Sequence, residues 1–325
     1  MSGKSDQSDL LDGVVIRAGA GTCRVAAAGE VYLCRLRGRL KKGRQQAQTV
    51  VVAGDRVRIK PLPPESEDAV PAAVVEAVEP RSSSLSRRAA RRTGGHRAQI
   101  LMANLDQLVA VQSVAEPAPQ GSLVDRLLVG ARSRDVEAVL CLNKVDLDPA
   151  VSADPRWDYY ASLGVRVVRT SAETGEGVDE FAAVLRDRIS LLLGASGVGK
   201  SSLLNAIQPG LQIRVGGVTE KTGLGRHTTT HTELYPLRQG GFIADSPGLR
   251  GFDAWDLAPE ELRDCFPDFD EPTRDCKFRM CLHRDEPSCG VKAAVGRGVV
   301  PSWRHQSYLE ILRDLEERMK ETQGY

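Results

Sequence analysis

The segment Gly194-Ala195-Ser196-Gly197-Val198-Gly199-Lys200-Ser201 decides how the rest of the sequence is interpreted. It matches the pattern G-x-x-x-x-G-K-[ST], in which a glycine-rich loop joins a strand to a helix. The apolar run 189–193 precedes it, and the helix-forming run 202–207 follows it. Backbone N–H groups of such a loop and the positive end of the helix dipole attract anions. We therefore predict a phosphate-binding loop, against the alternative of a glycine-rich turn without a ligand.

The chemistry expected of this loop depends on its last two residues. Lys200 is predicted to reach the β- and γ-phosphates of a nucleotide, and Ser201 to place its hydroxyl on Mg²⁺. A loop that serves only as a turn would need neither group. The other candidate contacts in and next to the loop are Gly194, Ala195, Ser196, Gly197, Val198, Gly199 and Ser202.

A second motif, Asn143-Lys144-Val145-Asp146, follows a predicted buried strand. The carboxylate of Asp146 can accept hydrogen bonds from both N1–H and the N2 amino group of guanine. Adenine offers neither donor and would leave a desolvated carboxylate unpaired. We expect Asn143 to brace this loop and the Lys144 stem to cover one face of the base. Three further candidates, expected to offer backbone N–H groups to guanine O6 after the next strand, are Thr170, Ser171 and Ala172.

Two later segments are candidates for the γ-phosphate and the metal ion. Residues 245–248 fit the pattern D-x-x-G, in which Asp245 would hold Mg²⁺ through water and the Gly248 N–H would bond the γ-phosphate. In the loop before it, Thr229, or alternatively Thr228, is expected to complete the magnesium shell. His227 is the candidate for orienting the attacking water, against the alternative of an exposed loop histidine. The catalytic candidates are His227, Lys200, Asp245 and Gly248.

The order of these motifs along the chain is unusual. Base-reading motifs at 143 and 170 precede the phosphate loop at 194, whereas ordinary GTPases have the reverse order. A permuted chain can build the same site, because what matters is which loops meet at the carboxyl edge of the sheet. Strand-like runs alternate with amphipathic helical runs here, so we predict an α/β fold with a doubly wound, mostly parallel sheet.

The N-terminal part differs in composition. Residues 10–80 contain about five short β-type runs broken by glycines, which favours a small closed barrel of the OB type. The net charge of the whole chain is only +1, but residues 35–60 carry nine basic side chains and one acid. We interpret this segment as a surface that contacts a nucleic-acid backbone, against the alternative of a merely solvated basic face. Residues 81–97 lack hydrophobic periodicity and are predicted to form a mobile basic connector.

The C-terminal part contains a candidate metal site. Cys276, Cys281, His283 and Cys289 place three thiols and one imidazole within fourteen residues, as expected of a tetrahedral zinc site. The alternative is a set of buried thiols without a ligand. The other cysteines of the seven lack such spacing and are predicted to be structural. Residues 301–323 are predicted to form a helix whose packing face is Tyr308, Leu312, Leu315 and Met319.

Taken together, the motifs N-K-V-D, T-S-A, G-A-S-G-V-G-K-S, G-R-H-T-T-T, D-S-P-G and C-x₄-C-x-H-x₅-C resemble those of the circularly permuted ribosome small-subunit-dependent GTPase A family of bacteria. The resemblance implies GTP hydrolysis stimulated by the small ribosomal subunit, ribosomal RNA binding, and a role in late subunit maturation. It also implies that His227 positions water and that the cysteine and histidine set binds zinc. The expected divisions are a disordered tail at 1–9, an OB-like RNA-binding barrel at 10–80, a basic linker at 81–102, a circularly permuted GTPase domain at 103–252, and an α-helical zinc-binding domain with a terminal helix at 253–325.

Two other functions are compatible with the motifs. Leu249 follows Gly248, where Ras-like enzymes carry the glutamine that positions water, which leaves open a nucleic-acid-binding scaffold that scarcely hydrolyses nucleotide. A permuted ATPase is the other alternative. No apolar run approaches the ~20 residues of a membrane span, so we expect a cytoplasmic protein without a membrane partner. We also expect a monomer. Its expected cofactors are one structural Zn²⁺, and Mg²⁺ with GTP.

Overall fold

The structure is a computed structural model. It describes residues 9–19, 21–38, 51–64, 66, 70–88, 98–211, 232–245 and 257–323. The chain forms two compact units: unit 1 draws on 1–106, 185–191 and 221–249, and unit 2 on 107–184, 192–220 and 250–325. Within the described ranges, no helix has both the length and the apolar character needed to cross a membrane.

The strands of unit 1 build a small barrel and a short extension. The barrel strands are β1 (Leu11–Ala18), β2 (Thr22–Ala27), β3 (Glu30–Leu36), β4 (Arg56–Pro61) and β5 (Ala72–Val78). Strand β1 pairs with both β2 and β4, β3 pairs with β2 and β5, and β4 pairs with β5, so the ladder closes on itself. Alternate residues such as Val25, Ile59 and Val75 fill the interior at 0% exposure. The predicted five-stranded barrel is confirmed.

The predicted mobile connector is wrong at its N-terminal end. Strand β6 (Ser84–Arg88) pairs antiparallel with β7 (Ala98–Ala103). Arg81 donates from Nε and Nη2 to the two carboxylate oxygens of Asp55, at 2.6 and 2.8 Å. Asp55 is completely buried, so this bidentate pair fixes the chain to the barrel. The absence of hydrophobic periodicity does not exclude this order, because backbone pairing and an ion pair with a distant buried acid hold the segment.

The remaining strands belong to the α/β part. In unit 2, β9 (Glu137–Asn143) lies between β8 (Gln107–Ser113) and β10 (Arg166–Arg169), all parallel. In unit 1, the first residues of β11 (Ile189–Leu193) pair parallel with β13 (Phe242–Asp245), which pairs antiparallel with β12 (Glu233–Pro236). The helices are α1 (Gly121–Arg132), α2 (Pro149–Ser152), α3 (Pro155–Ser162), α4 (Val178–Leu185) and α5 (Lys200–Ile207). Every residue of β8 is buried, as expected of a strand covered on both faces.

The C-terminal region contains short 3₁₀ helices followed by α6 (Gly290–Gly296) and α7 (Ser302–Gln323). The predicted packing face of α7 is confirmed for Tyr308, Leu312 and Leu315, which are buried in one apolar cluster. The prediction is wrong for Met319, which lies one turn beyond the cluster and is 39% exposed. Ile311 supplies the additional core contact instead.

Candidate nucleotide and metal sites

The phosphate loop follows β11 and leads directly into α5, as its sequence predicts. Two of its glycines are required by close contacts. A Cβ on Gly194 would lie 2.1 Å from the carbonyl oxygen of Val111, and one on Gly199 would lie 2.3 Å from Asn143 Nδ2. Any larger residue at either position would push the loop away from the neighbouring strand ends. The loop is therefore packed against both the strand β8 and the base motif.

Lys200 lies at the first position of α5 and is almost completely buried. Its Nζ donates to the carbonyl oxygens of Gly194 at 2.9 Å and Ala195 at 2.8 Å, so the side chain curls back over its own loop. Burial lowers the pKa of this ammonium to about 8. An anion placed inside the loop would replace these neutral acceptors with charged ones, which bind an ammonium more strongly.

The rest of the loop divides into a buried anchor and an exposed tip. Val198 is completely buried, whereas Ser196 and Gly197 are exposed at the tip and Ala195 is half-buried. The side chains of Ser201 and Ser202, in the first turn of α5, are also exposed. The hydroxyls and N–H groups of the tip are thus available to a ligand while the apolar anchor holds their positions.

Asn143 joins the base motif to the phosphate loop. Its Nδ2 donates to the carbonyl oxygen of Val198 at 2.9 Å, and its Oδ1 accepts from the hydroxyl of Thr170 at 3.1 Å. Asn143 is 1% exposed, and both its Nδ2 and its Oδ1 have protein partners. Asn143 therefore holds together the base motif, the phosphate loop and the loop of Thr170, rather than touching a base itself. Sequence reasoning predicted the bracing but missed the part played by the Thr170 hydroxyl.

The other base-motif residues surround an open edge. Asp146 is exposed, and the turn that carries it is closed by the Leu147 N–H on the Lys144 carbonyl at 3.0 Å. Lys144 is half-buried, and its Nζ donates to the carbonyl oxygen of Glu116, a partner that the sequence did not indicate. The carboxylate of Asp146 is thus accessible to a ligand, and Lys144 is held at one side of it.

The structure narrows the choice of backbone donors in the T-S-A triplet. The N–H of Thr170 donates to the Leu142 carbonyl at 2.7 Å, and that of Ser171 donates to the Glu176 carbonyl at 2.9 Å. Both amides are therefore engaged in shaping the loop. The N–H of Ala172 is the remaining candidate donor for a ligand oxygen.

The γ-phosphate candidates are described only in part. Asp245 is the last residue of β13 and is half-buried. Gly248, His227, Thr228 and Thr229 lie outside the described residues.

The four predicted zinc ligands come together. The candidate ligand atoms all lie within 4.8 Å of one another: Cys276 Sγ, Cys281 Sγ, His283 Nδ1 and Cys289 Sγ. His283 Nδ1 is 3.6 Å from Cys276 Sγ and 3.4 Å from Cys289 Sγ, and the two sulfurs are 4.0 Å apart. A tetrahedral zinc ion with bonds of about 2.3 Å to sulfur needs sulfur–sulfur edges of about 3.8 Å. The observed spacing therefore fits that ion.

The surroundings of the cluster also suit a cation. Backbone N–H groups of Gly290 and Lys292 donate to the sulfurs of Cys276 and Cys289 at 3.3 and 3.4 Å, which stabilises thiolates. Burial raises the pKa of Cys281 to about 12 and lowers that of His283 to about 4. A neutral imidazole is the form that binds a metal, and a dication would supply the charge that lets the thiols ionise.

Two protein-family models match this chain. The RsgA GTPase family model matches residues 78–255, and the RsgA N-terminal domain model matches residues 12–68. The chain is 40% identical over 305 residues to the small ribosomal subunit biogenesis GTPase RsgA of Moorella thermoacetica, with 94% of this chain and 97% of that relative covered. The chain belongs to the RsgA GTPase family. As a member of that family, it is a GTPase.

Solved structures of RsgA relatives have the same fold. The crystal structure of YjeQ from Thermotoga maritima is 33% identical, with a TM-score of 0.72 and coverage of 94% of this chain and 98% of that one. The structure of YloQ, a circularly permuted GTPase, is 29% identical, with a TM-score of 0.71 and coverage of 97% and 98%. The permuted α/β fold predicted from the motif order is confirmed.

Part of the basic charge in the described barrel unit of this RsgA family member is paired with acids. Several arginines of the barrel unit are paired with acids: Arg17 with Glu233, Arg37 with Glu76, Arg58 with Glu79 and Arg81 with Asp55. Among the described residues of the barrel strands, exposed cations without a described acidic partner are Arg24, Arg35, Arg56 and Lys60. The other predicted cations, Arg39 to Arg44, lie outside the described residues.

Proposed function

We propose that this GTPase acts in the biogenesis of the small ribosomal subunit, binding that subunit and its ribosomal RNA and hydrolysing GTP to GDP and phosphate there. One observation carries the nucleotide part of the proposal: Asn143 ties the guanine motif to the phosphate loop through Val198, so a single ligand can touch both. The ribosomal part is supported by family membership and by the name of the Moorella thermoacetica relative, a small ribosomal subunit biogenesis GTPase.

The guanine base would be read by Asp146, whose exposed carboxylate can accept from N1–H and the N2 amino group. The Lys144 stem would cover one face of the ring, and the Ala172 N–H would donate to O6. An adenine base would leave Asp146 without donors, which is the reason to expect GTP rather than ATP.

The phosphates would occupy the cradle formed by residues 194–202. In the proposed complex, Lys200 exchanges its two loop carbonyls for β- and γ-phosphate oxygens. Ser201 and Thr229 would bind Mg²⁺ directly, and Asp245 would hold it through water. When bound, magnesium neutralises charge on the phosphate oxygens.

Hydrolysis would depend on two residues assigned from the sequence motifs. The Gly248 N–H would bond the γ-phosphate, and His227 would orient the attacking water, since Leu249 has no polar group for that task. We expect GTP hydrolysis to be slow until the small ribosomal subunit helps to place the loop that carries His227.

The C-terminal cluster would hold one structural zinc ion through Cys276, Cys281, His283 and Cys289, as its spacing and its hydrogen bonds support. The barrel would contact the RNA backbone through exposed cations such as Arg24, Arg35 and Arg56. Because ribosomes assemble in the bacterial cytoplasm, we place the protein there. We also propose that it acts as a monomer.

GTP turnover with and without purified small ribosomal subunits tests the proposal. We expect stimulated turnover in the wild-type protein and a loss of at least about 100-fold in Lys200→Ala, because the phosphate charge is then unpaired. Large subunits serve as the control partner and should not stimulate. Equal turnover with either subunit, or faster hydrolysis of ATP than GTP, would overturn the proposal.

A further inference from the structure

The segment between β8 and α1, residues 114–120, lies beside the nucleotide site but contains none of its sequence motifs. It is anchored at its start by the Val114 N–H, which donates to the Asn143 carbonyl at 3.1 Å, and by the Ser113 hydroxyl, which donates to the Ala115 carbonyl. At its end, the Gln120 carbonyl accepts from Leu123 N–H at 3.2 Å as α1 begins. The segment is therefore tied to the base motif at one end and to a helix at the other.

Two contacts reach from this segment to the nucleotide site. The carbonyl oxygen of Glu116 accepts a hydrogen bond from Lys144 Nζ, in the base motif. The next residue, Pro117, lies over the tip of the phosphate loop, because a Cβ added to Gly197 would lie 3.6 Å from Pro117 Cδ. One dipeptide thus contacts both halves of the site.

We propose that Glu116 and Pro117 are positioning residues for guanine nucleotides, acting by holding the Lys144 side chain where its stem covers the base. The inference rests on the proposed nucleotide site. A lysine side chain has several rotatable bonds, and ordering it on ligand binding costs free energy. Fixing its ammonium on a carbonyl oxygen before the nucleotide arrives removes that cost. The segment therefore increases nucleotide affinity without contacting the phosphates.

The atom that does the work is a backbone oxygen, which explains why no side-chain motif marks it. The Glu116 side chain itself is exposed, whereas Pro117 is half-buried. Proline fixes its own φ, and Pro117 packs beside Gly197, so it holds the peptide group that carries the Glu116 carbonyl. Changing Pro117 is therefore the practical way to release Lys144.

A double-mutant cycle on GDP affinity tests this role. Pro117→Gly should weaken GDP and GTP binding equally, by about fivefold, because the base contact is common to both nucleotides. Lys144→Met keeps an apolar stem but removes the ammonium, and should weaken binding by about tenfold. In the Lys144→Met background, Pro117→Gly should change the affinity by less than about twofold, because its effect is already lost.

Pro119→Gly is the matched control, the same change two residues along the same segment, and should bind GDP within about twofold of the wild type. Thermal unfolding without nucleotide checks each fold, and Pro117→Ala replaces the glycine variant if that one is unstable. Wild-type affinity in both Pro117 variants, or losses that multiply in the Lys144→Met background, would overturn the inference. A wild-type chain that does not bind GDP would overturn the proposed function as well, so the two failures are distinguishable.

Discussion

The base motif and phosphate loop lie in the same compact unit as the candidate zinc ligands, but the two sites are assembled in opposite ways. Every predicted zinc ligand comes from fourteen consecutive residues, whereas the nucleotide site draws on segments at 116, 143, 170 and 194. The fully buried strand β8 packs against the phosphate loop. The segment that carries the candidate zinc ligands, residues 276–289, consists of turns between short helices. The difference teaches that the cysteine and histidine cluster is a local arrangement, whereas the nucleotide site needs the fold to bring distant segments together.

The largest effect should follow from removing a zinc ligand. Structural zinc contributes about 10 kcal/mol of apparent folding free energy in small sites, so Cys281→Ser should unfold the loop and helix α6. Hydrogen exchange should lose protection in residues 272–296 while strands β8 and β9 keep theirs. Zinc content, measured by mass spectrometry, should fall from one ion per chain to none.

Cys265→Ser is the matched control for that experiment. Cys265 is a buried free thiol in the same apolar cluster, but it is not among the four converging ligands. This variant should keep its zinc and lose only about 1 kcal/mol of unfolding free energy. A Cys281→Ser protein that retained one zinc ion would contradict the ligand assignment and remove the contrast between the two sites.

The second largest effect concerns the junction between helices α1 and α7. Arg304, at the start of α7, donates to Asp125 of α1 and from Nε to Asp268 Oδ2 at 3.2 Å. Its guanidinium lies 4.2 Å from the ring centre of Phe266, and its side chain is 2% exposed. Burial raises the pKa of Asp125 despite this cation, so the carboxylate depends on Arg304 for its charge.

Arg304→Met should therefore cost about 3–5 kcal/mol in the free energy of unfolding, because it leaves a buried carboxylate unpaired. Arg126→Met is the control, since Arg126 pairs with Asp314 between the same two helices but at the surface, with the two side chains 23% and 42% exposed. The control should cost at most about 1 kcal/mol. Denaturant unfolding measures both, and equal costs would show that burial is irrelevant at this junction.

The smallest effect is a pH dependence confined to the nucleotide site. Burial lowers the pKa of Lys200 to about 8 in the free protein, and bound phosphates should raise it again. Above pH 8, binding must then take up a proton, so the dissociation constant for GDP should increase with pH, by up to about tenfold per unit. Titrations between pH 7 and 9 measure this slope.

Lys200→Arg separates the lysine from other titrating groups, because a guanidinium remains charged throughout that range. Its affinity should show no such slope, whatever its absolute value. An identical slope in the arginine variant would assign the pH dependence to another group. Zinc content should be unaffected across the same range, which would sharpen the contrast between a site with a titrating lysine and one without.

The sequence by itself was enough to predict both sites, because each motif is a short pattern whose chemistry is contained in neighbouring residues. The glycines and Lys200 of the phosphate loop, the carboxylate of Asp146 and the spacing of the cysteines all needed no knowledge of the fold. The order of the motifs was also enough to predict the permuted sheet, and the five β-type runs were enough to predict the barrel.

Only the tertiary structure decided which groups meet across long separations. The Thr170 hydroxyl on Asn143, the Glu116 carbonyl on Lys144 and the pairing of Arg304 with Asp125 join residues 27, 28 and 179 positions apart. No local pattern marks such partners, since a carbonyl oxygen occurs at every residue and an arginine usually lies in solvent. Burial selects the partners of Thr170 and Arg304, because a polar group removed from water must find its partner wherever the fold brings one.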